Sequence, residues 1–262
     1  MYSEEHKKYL KNLRKNKLFV HIFQISIIIF LITIWQLLAD AEIINTFITS
    51  SPKKVLETII NLHNTGDLYH HIFVTVYETL ISFSLGTFLG FIIATILWWN
   101  NFIYKVVDPY LTILNSLPKV ALGPIIIIWA GASMDSIIIM ALLISVIITI
   151  INVYQGFIET DPIKLKLMKS FNATKSQTYF KLILPSTFPV IISTLKINIS
   201  MSLIGVIMGE FLVSNEGIGY LIMYGSQVFN LNLVMSGIII LCVVATVMYY
   251  AVLYIEKKLI KN

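Results

Sequence analysis

Six stretches of about 20 mostly apolar residues divide this chain, each long enough to cross the hydrocarbon core of a bilayer as a helix. They cover residues 20–38, 79–98, 111–130, 137–158, 189–213 and 233–254. Glu78 stands at the start of the second, and Pro118 and Gly123-Pro124 interrupt the third. Apolar residues make up 57% of the chain and charged residues 13%, against roughly 25% charged in soluble domains. A soluble core of this size cannot absorb that much apolar surface. The expected fold is therefore an all-α membrane protein of about six transmembrane helices, since a helix satisfies its own backbone hydrogen bonds in lipid.

The first stretch follows a basic leader, and Ala39-Asp40-Ala41 resembles a cleavage site. It is longer than the roughly 7–15 apolar residues of a signal peptide, and Trp35 and Gln36 sit badly before such a site. It is read as a retained span.

The basic residues set the orientation. Lys7, Lys8, Lys11, Arg14, Lys15 and Lys17 precede the first span. Lys105 follows the second, and Lys164, Lys166, Lys169, Lys175 and Lys181 follow the fourth. Lys257, Lys258 and Lys261 follow the sixth. With six spans all of these share one face, and the other face holds only Lys53 and Lys54. The positive-inside rule makes the rich face cytoplasmic. The reading is a multi-pass protein of the plasma (inner) membrane, with a basic N-terminal segment (1–19), a transmembrane domain (20–255) and a tail (256–262), both termini cytoplasmic. The net charge of +5 follows from this topology and needs no nucleic-acid partner. The single cysteine, Cys242, has no internal partner, and the five histidines show no metal-ligand spacing. His70-His71 reads as solvated loop.

Between the first two spans, Ser51-Pro52 reads as an N-cap followed by proline at the first helical position. Val55, Leu56, Ile59 and Ile60 then share a helical face. This segment is either a helix on the outer membrane surface or a packed re-entrant piece.

The segment between spans four and five is more informative. Asp161-Pro162 starts a helix. Leu167, Met168 and Phe171 form an apolar ridge on it, and Asn172 can end it in a left-handed conformation. Thr174 to Gln177 has the spacing of a capping box. It opens a second helix that runs toward Leu184 and is interrupted by Pro185 and Pro189. The result is a compact cytoplasmic helix–turn–helix. Its ridge either meets a partner or packs under the protein's own membrane ends.

Residues 166–185 read KLMKSFNATKSQTYFKLILP. The stretch resembles the EAA loop of ABC importer permeases, in which an E-A-A triplet, a glycine and a terminal L-P stand at fixed spacing. Leu184-Pro185 falls at the L-P position. Asn172 replaces the glycine, a mild change because both residues accept a left-handed turn. Lys166-Leu167-Met168 replaces the triplet, so a lysine stands where the family has glutamate. Ser51-Pro52, Leu117-Pro118-Lys119, Gly123-Pro124, Leu195-Lys196, Gly209-Glu210 and Gly217-Ile218-Gly219-Tyr220 extend the similarity over most of the chain, toward the nitrate/sulfonate/taurine-type branch.

The resemblance implies a permease that transports a small polar or anionic solute, nitrate-, sulfonate- or taurine-like, or a vitamin precursor. It implies a coupling helix over residues 162–171, with Asp161, Pro162, Lys166, Leu167, Met168, Phe171 and Asn172 at the contact with a cytoplasmic ATP-binding subunit. ATP and Mg would belong to that partner. A second copy of the permease and an extracytoplasmic substrate-binding protein would complete the machine. The residues agree on one point: no G-x-x-x-x-G-K-[ST] phosphate loop and no catalytic or metal constellation occurs in this chain.

Three charged residues lie within the spans. Lys196 either snorkels to the cytoplasmic interface or lines the pathway. Lys119 follows Pro118, where a broken helix frees backbone groups, and either packs helices or lines a cavity. Glu210 is about 30 Å beyond Pro189 by helical rise, which places it near the outer boundary as a solvated carboxylate or as part of an outer gate. Gly86-x-x-x-Gly90 and Gly205-x-x-x-Gly209 allow close helix approach, including a dimer seam. The competing class is an ion-coupled secondary transporter, which often carries internal repeats. None is evident, and a folded cytoplasmic loop has no obvious role there.

Overall fold

The computed structural model describes residues 4–260, with side chains described from residue 9 to 258 except Arg14. Residues 1–3 and Lys261, parts of the expected terminal segments, lie outside the described residues. No strand occurs among the described residues.

Helix α1 (Glu4–Asp40) carries the basic leader and the first apolar run in one continuous helix. It is exposed along most of its length. Near its end, Gln36 Oε1 accepts the Lys53 N–H at 3.0 Å. A short α2 (Thr46–Thr49) leads to α3 (Pro52–Thr65), which Ser51 caps from its side chain as expected. α3 is a packed element. Val55 is buried, Ser50 Oγ donates to Asn232 Oδ1 (2.7 Å), and Leu56 and Ile60 stay exposed.

α4 (Asp67–Trp99) begins about three turns earlier than its apolar run. His70 and His71 therefore lie on a helix, not in a solvated loop. α5 (Asn101–Ser116), a 3₁₀ turn (Lys119–Leu122) and α6 (Gly123–Ala130) follow. The expected third span over residues 111–130 is not one helix, because α5 and α6 meet at a 92° bend. Pro118 is the cause: it holds Leu117 extended, at φ −68° and ψ 135°, and ends α5 there.

α7 (Met134–Ile158), α8 (Pro162–Ser170) and α9 (Lys175–Thr178) come next. A π turn (Tyr179–Ile183) then opens into α10 (Leu184–Val213). Contrary to expectation, Pro185 and Pro189 do not interrupt the helix. The wide turn, in which the Leu184 N–H reaches Tyr179 O, relieves the backbone just where the Pro185 ring enters. α11 (Ile218–Gln227) and α12 (Leu231–Ile260) complete the chain. Five helical segments are long and apolar enough to cross a membrane, and the bent α5–α6 pair makes a sixth if it counts as one span.

The core is α7 held between α4 and α10. Both small-residue motifs face α7. A Cβ added to Gly90 would lie 2.5 Å from Thr149 Cβ, and one added to Gly209 would lie 2.9 Å from Ile137 Cα. The two glycine seams thus sit inside the chain and not between two copies. At the end carrying α8, Ala94, Leu97, Val153, Phe157, Tyr179 and Ile183 form one buried cluster. A second cluster, with Ile199, Leu203, Ile218, Ile240 and Val244, fixes α11 and α12 onto α10.

Candidate coupling and translocation sites

α8 is a stiff projection with well-made ends. Asp161 Oδ1 accepts the Ile163 N–H (2.8 Å) ahead of Pro162. Asn172 takes φ 51°, the left-handed conformation expected of it, and turns the chain out of the helix. The Thr174–Gln177 capping box is present in both directions: Gln177 N–H to Thr174 Oγ1 at 3.2 Å, and Thr174 N–H to Gln177 Oε1 at 2.9 Å. Lys175 Nζ donates to Trp99 O at 2.5 Å, joining α9 to the end of α4. Tyr179, only 3% exposed, anchors the following turn among Trp98, Trp99 and Phe157.

The ridge is exposed, but its composition differs from expectation. Leu167 and Phe171 are 54% and 72% exposed, whereas Met168 is only partly so. Ile163, 75% exposed, replaces it, giving a stripe at i, i+4 and i+8. The sequence held this signal: Ile163 is one helical repeat before Leu167. Leu165 turns the other way, into the buried cluster at that end.

At the opposite end of the bundle a buried carboxylate organises three elements. Glu210 is 1% exposed. Its Oε1 accepts the Thr75 hydroxyl (2.6 Å) and its Oε2 the Gly219 N–H (2.5 Å). Thr75 Oγ1 in turn accepts the Ile218 N–H (2.8 Å), and His71 Nδ1 accepts the Gly217 N–H (3.0 Å). His70 Nε2 lies 3.1 Å from Glu216 Oε2. Glu210 is thus not a solvated boundary residue: α4 and the start of α11 fold over it. The two glycines are there because the carboxyl is. A Cβ on Gly219 would stand 2.7 Å from Glu210 Oε2, and Gly217 has φ +99°. Glu78, 3% exposed, lies within hydrogen-bonding range of Glu210. Sequence reasoning did not select Thr75, His71 or Glu78, because only tertiary packing brings α4 to the α11 turn.

The two candidate pathway lysines have local partners. Lys119 Nζ donates to Asn115 O (2.7 Å), one of the carbonyls freed where α5 ends. Lys196 Nζ pairs with Glu256 Oε1 on α12 at 2.9 Å, both side chains being largely buried.

A helical membrane bundle with a folded apolar knob at one end and a buried polar clasp at the other is built like the membrane subunit of a transporter. Residues 86–261 match the family described as binding-protein-dependent transport system inner membrane component, and the chain belongs to that family, the permeases of ABC importers. Among its relatives is the formylaminopyrimidine transport permease protein of Halalkalibacterium halodurans, 30% identical over 72% of this chain and 75% of that one. The nitrate import permease protein of Synechocystis sp. is 26% identical over 83% of this chain and 80% of its own. The methionine ABC transporter in an inward-facing conformation shares the fold, with TM-score 0.65 at 17% identity over 74% of this chain and 96% of that one. The chain is accordingly a transport subunit of a system whose ATPase is a separate component.

Proposed function

We propose that this permease works as a pair of copies, with α8 of each docking into a cytoplasmic ATP-binding subunit and the α11 end receiving solute from an extracytoplasmic substrate-binding protein. The Lys/Arg bias supports this orientation, with both termini and α8 in the cytoplasm. The observation that carries the reading is the exposed stripe Ile163, Leu167 and Phe171 on a helix capped at both ends. Large apolar side chains held in water on a rigid mount fit a groove on a partner. Asp161, Pro162 and Asn172 shape the knob, and Lys166 and Met168 flank the stripe. ATP and Mg belong to the partner, and movement of its subunits reaches α4 and α10 through the Trp99–Lys175 and Tyr179 contacts.

The cargo is a small polar solute, of the nitrate, sulfonate or taurine kind or a vitamin precursor. Glu210, Lys196 and Lys119 are proposed as residues of the gate and its supports. The test is uptake into vesicles reconstituted with and without the ATPase and the binding protein. Uptake that requires both partners and internal ATP is expected. Uptake by this chain alone on an ion gradient would assign it to the secondary carriers.

A further inference from the structure

We infer that a recess at the outer end of the bundle, between α2 and the turn from α11 to α12, binds the phosphate of a phospholipid headgroup. The recess encloses about 330 Å³ and is lined by Asn45, Lys54, Asn230 and Asn232, and by Phe47 and Phe229. It lies between the end of the first apolar run and the start of the sixth, residues 20–38 and 233–254. Headgroups border the hydrocarbon core at that level. The site is independent of the cargo and of the ATPase.

Its side chains offer donors. Asn45 Oδ1 accepts the Phe47 N–H at 2.9 Å, Asn230 Oδ1 the Leu233 N–H at 3.2 Å, and Asn232 Oδ1 the Ser50 hydroxyl at 2.7 Å. A backbone N–H needs an acceptor, so these bonds fix which end of the Asn45 and Asn230 amides is oxygen. All three Nδ2 groups are left without a partner among the described residues. The carbonyls of Asn45, Thr46 and Asn230 are occupied by the N–H groups of Ile48, Ser50 and Val234. Lys54 Nζ donates to Thr46 Oγ1 at 2.8 Å and forms no ion pair among the described residues, which leaves its other protons free. Asp40, Glu42 and Glu57 line a neighbouring recess that shares Lys54, but no carboxylate lines this one. Three amide donors and an ammonium around one space select an oxyanion.

The flanking residues select its source. Phe47 and Phe229 are 65% and 71% exposed. Large apolar groups beside a polar recess suit a phosphate that carries glycerol and acyl chains better than a free hydrated ion.

The test follows lipid retained by the full-length permease in native mass spectrometry. The detergent is supplemented with dioleoylphosphatidylglycerol or with dioleoylglycerol, which lacks the phosphate. The tightest phosphatidylglycerol site should have no counterpart for dioleoylglycerol. Asn230→Asp keeps an oxygen for the Leu233 N–H, and with it the start of α12, but turns a donor into a charged acceptor. It should weaken that site by about tenfold or more, the loss of one charge-assisted hydrogen bond. Asn45→Asp should act alike. Asn64→Asp adds the same charge at an exposed position of α3 and should leave the site unchanged.

Equal retention of the two lipids, no effect of either recess variant, or an equal loss with Asn64→Asp would overturn the proposal. Displacement of the lipid by inorganic phosphate at the same concentration would make this a site for a soluble anion and overturn it too. So would recess variants that keep their lipid but lose binding-protein-dependent uptake, which would make the recess a protein contact. If neither aspartate variant accumulates, Lys54→Met takes their place with the same two lipids and the same expected loss.

Discussion

The Thr75 hydroxyl on α4 donates to Glu210 on α10 at 2.6 Å and at the same time accepts the Ile218 N–H at 2.8 Å. One side chain thereby links two long helices and the start of α11. Thr75→Val keeps the shape and removes both bonds, leaving a buried carboxyl oxygen and a buried N–H unpaired. A loss of about 2 kcal/mol is expected, seen as a lower unfolding temperature in detergent. Thr75→Ser should stay close to the parent. Equal stability of the valine and serine variants would refute the role assigned to the hydroxyl.

The seam between α7 and α10 predicts strong sensitivity at Gly205. An added Cβ would lie 3.0 Å from Ala141 Cβ and nearer still to the Ala141 backbone. Gly205→Val must push the helices apart, at an expected cost of about 1–3 kcal/mol or more. Its signature is reduced accumulation in the membrane and faster proteolysis. The substitution Leu212→Val, at an exposed position on the same helix, should change little.

Ile163 and Leu165 lie two residues apart on α8 and face opposite ways. Ile163→Glu should release the ATPase in a pull-down while leaving thermal stability within about 0.5 kcal/mol, as for most surface substitutions. Leu165→Glu drives a charge toward the Phe157–Tyr179 cluster and should lower stability first. If Ile163→Glu retains normal ATPase binding, the stripe is not the docking surface.

The Lys196–Glu256 pair joins α10 to α12 at 2.9 Å. Lys196→Met leaves a largely buried carboxylate without its partner and should destabilise the protein. Adding Glu256→Gln should recover part of the loss, giving a coupling within about 0.5–3 kcal/mol in a double-mutant cycle. Additive effects in thermal unfolding would remove the pair as a structural link. Loss of transport with stability unchanged would instead place Lys196 in the pathway.

The sequence alone determined the lipid-embedded helical architecture, because an apolar run of about 20 residues has few other stable outcomes. It also determined the ends of α8 and the start of α9: Asp161-Pro162, Asn172 and the Thr174–Gln177 box act over one to four residues, within reach of local backbone chemistry. The same locality let Gly86, Gly90, Gly205 and Gly209 announce close packing.

Which helix they pack against was decided only by the tertiary structure. The same holds for the right-angle bend between α5 and α6, the uninterrupted passage through Pro185 and Pro189, and the turning of Met168 away from the ridge that Ile163 joins. The clearest case is Glu210. Counting helical rise places it near a boundary, but its environment is made by Thr75, 135 residues earlier, and by the turn at Gly217 and Gly219. Distance along a helix fixes depth in the bilayer; burial depends on which other segments fold across that point.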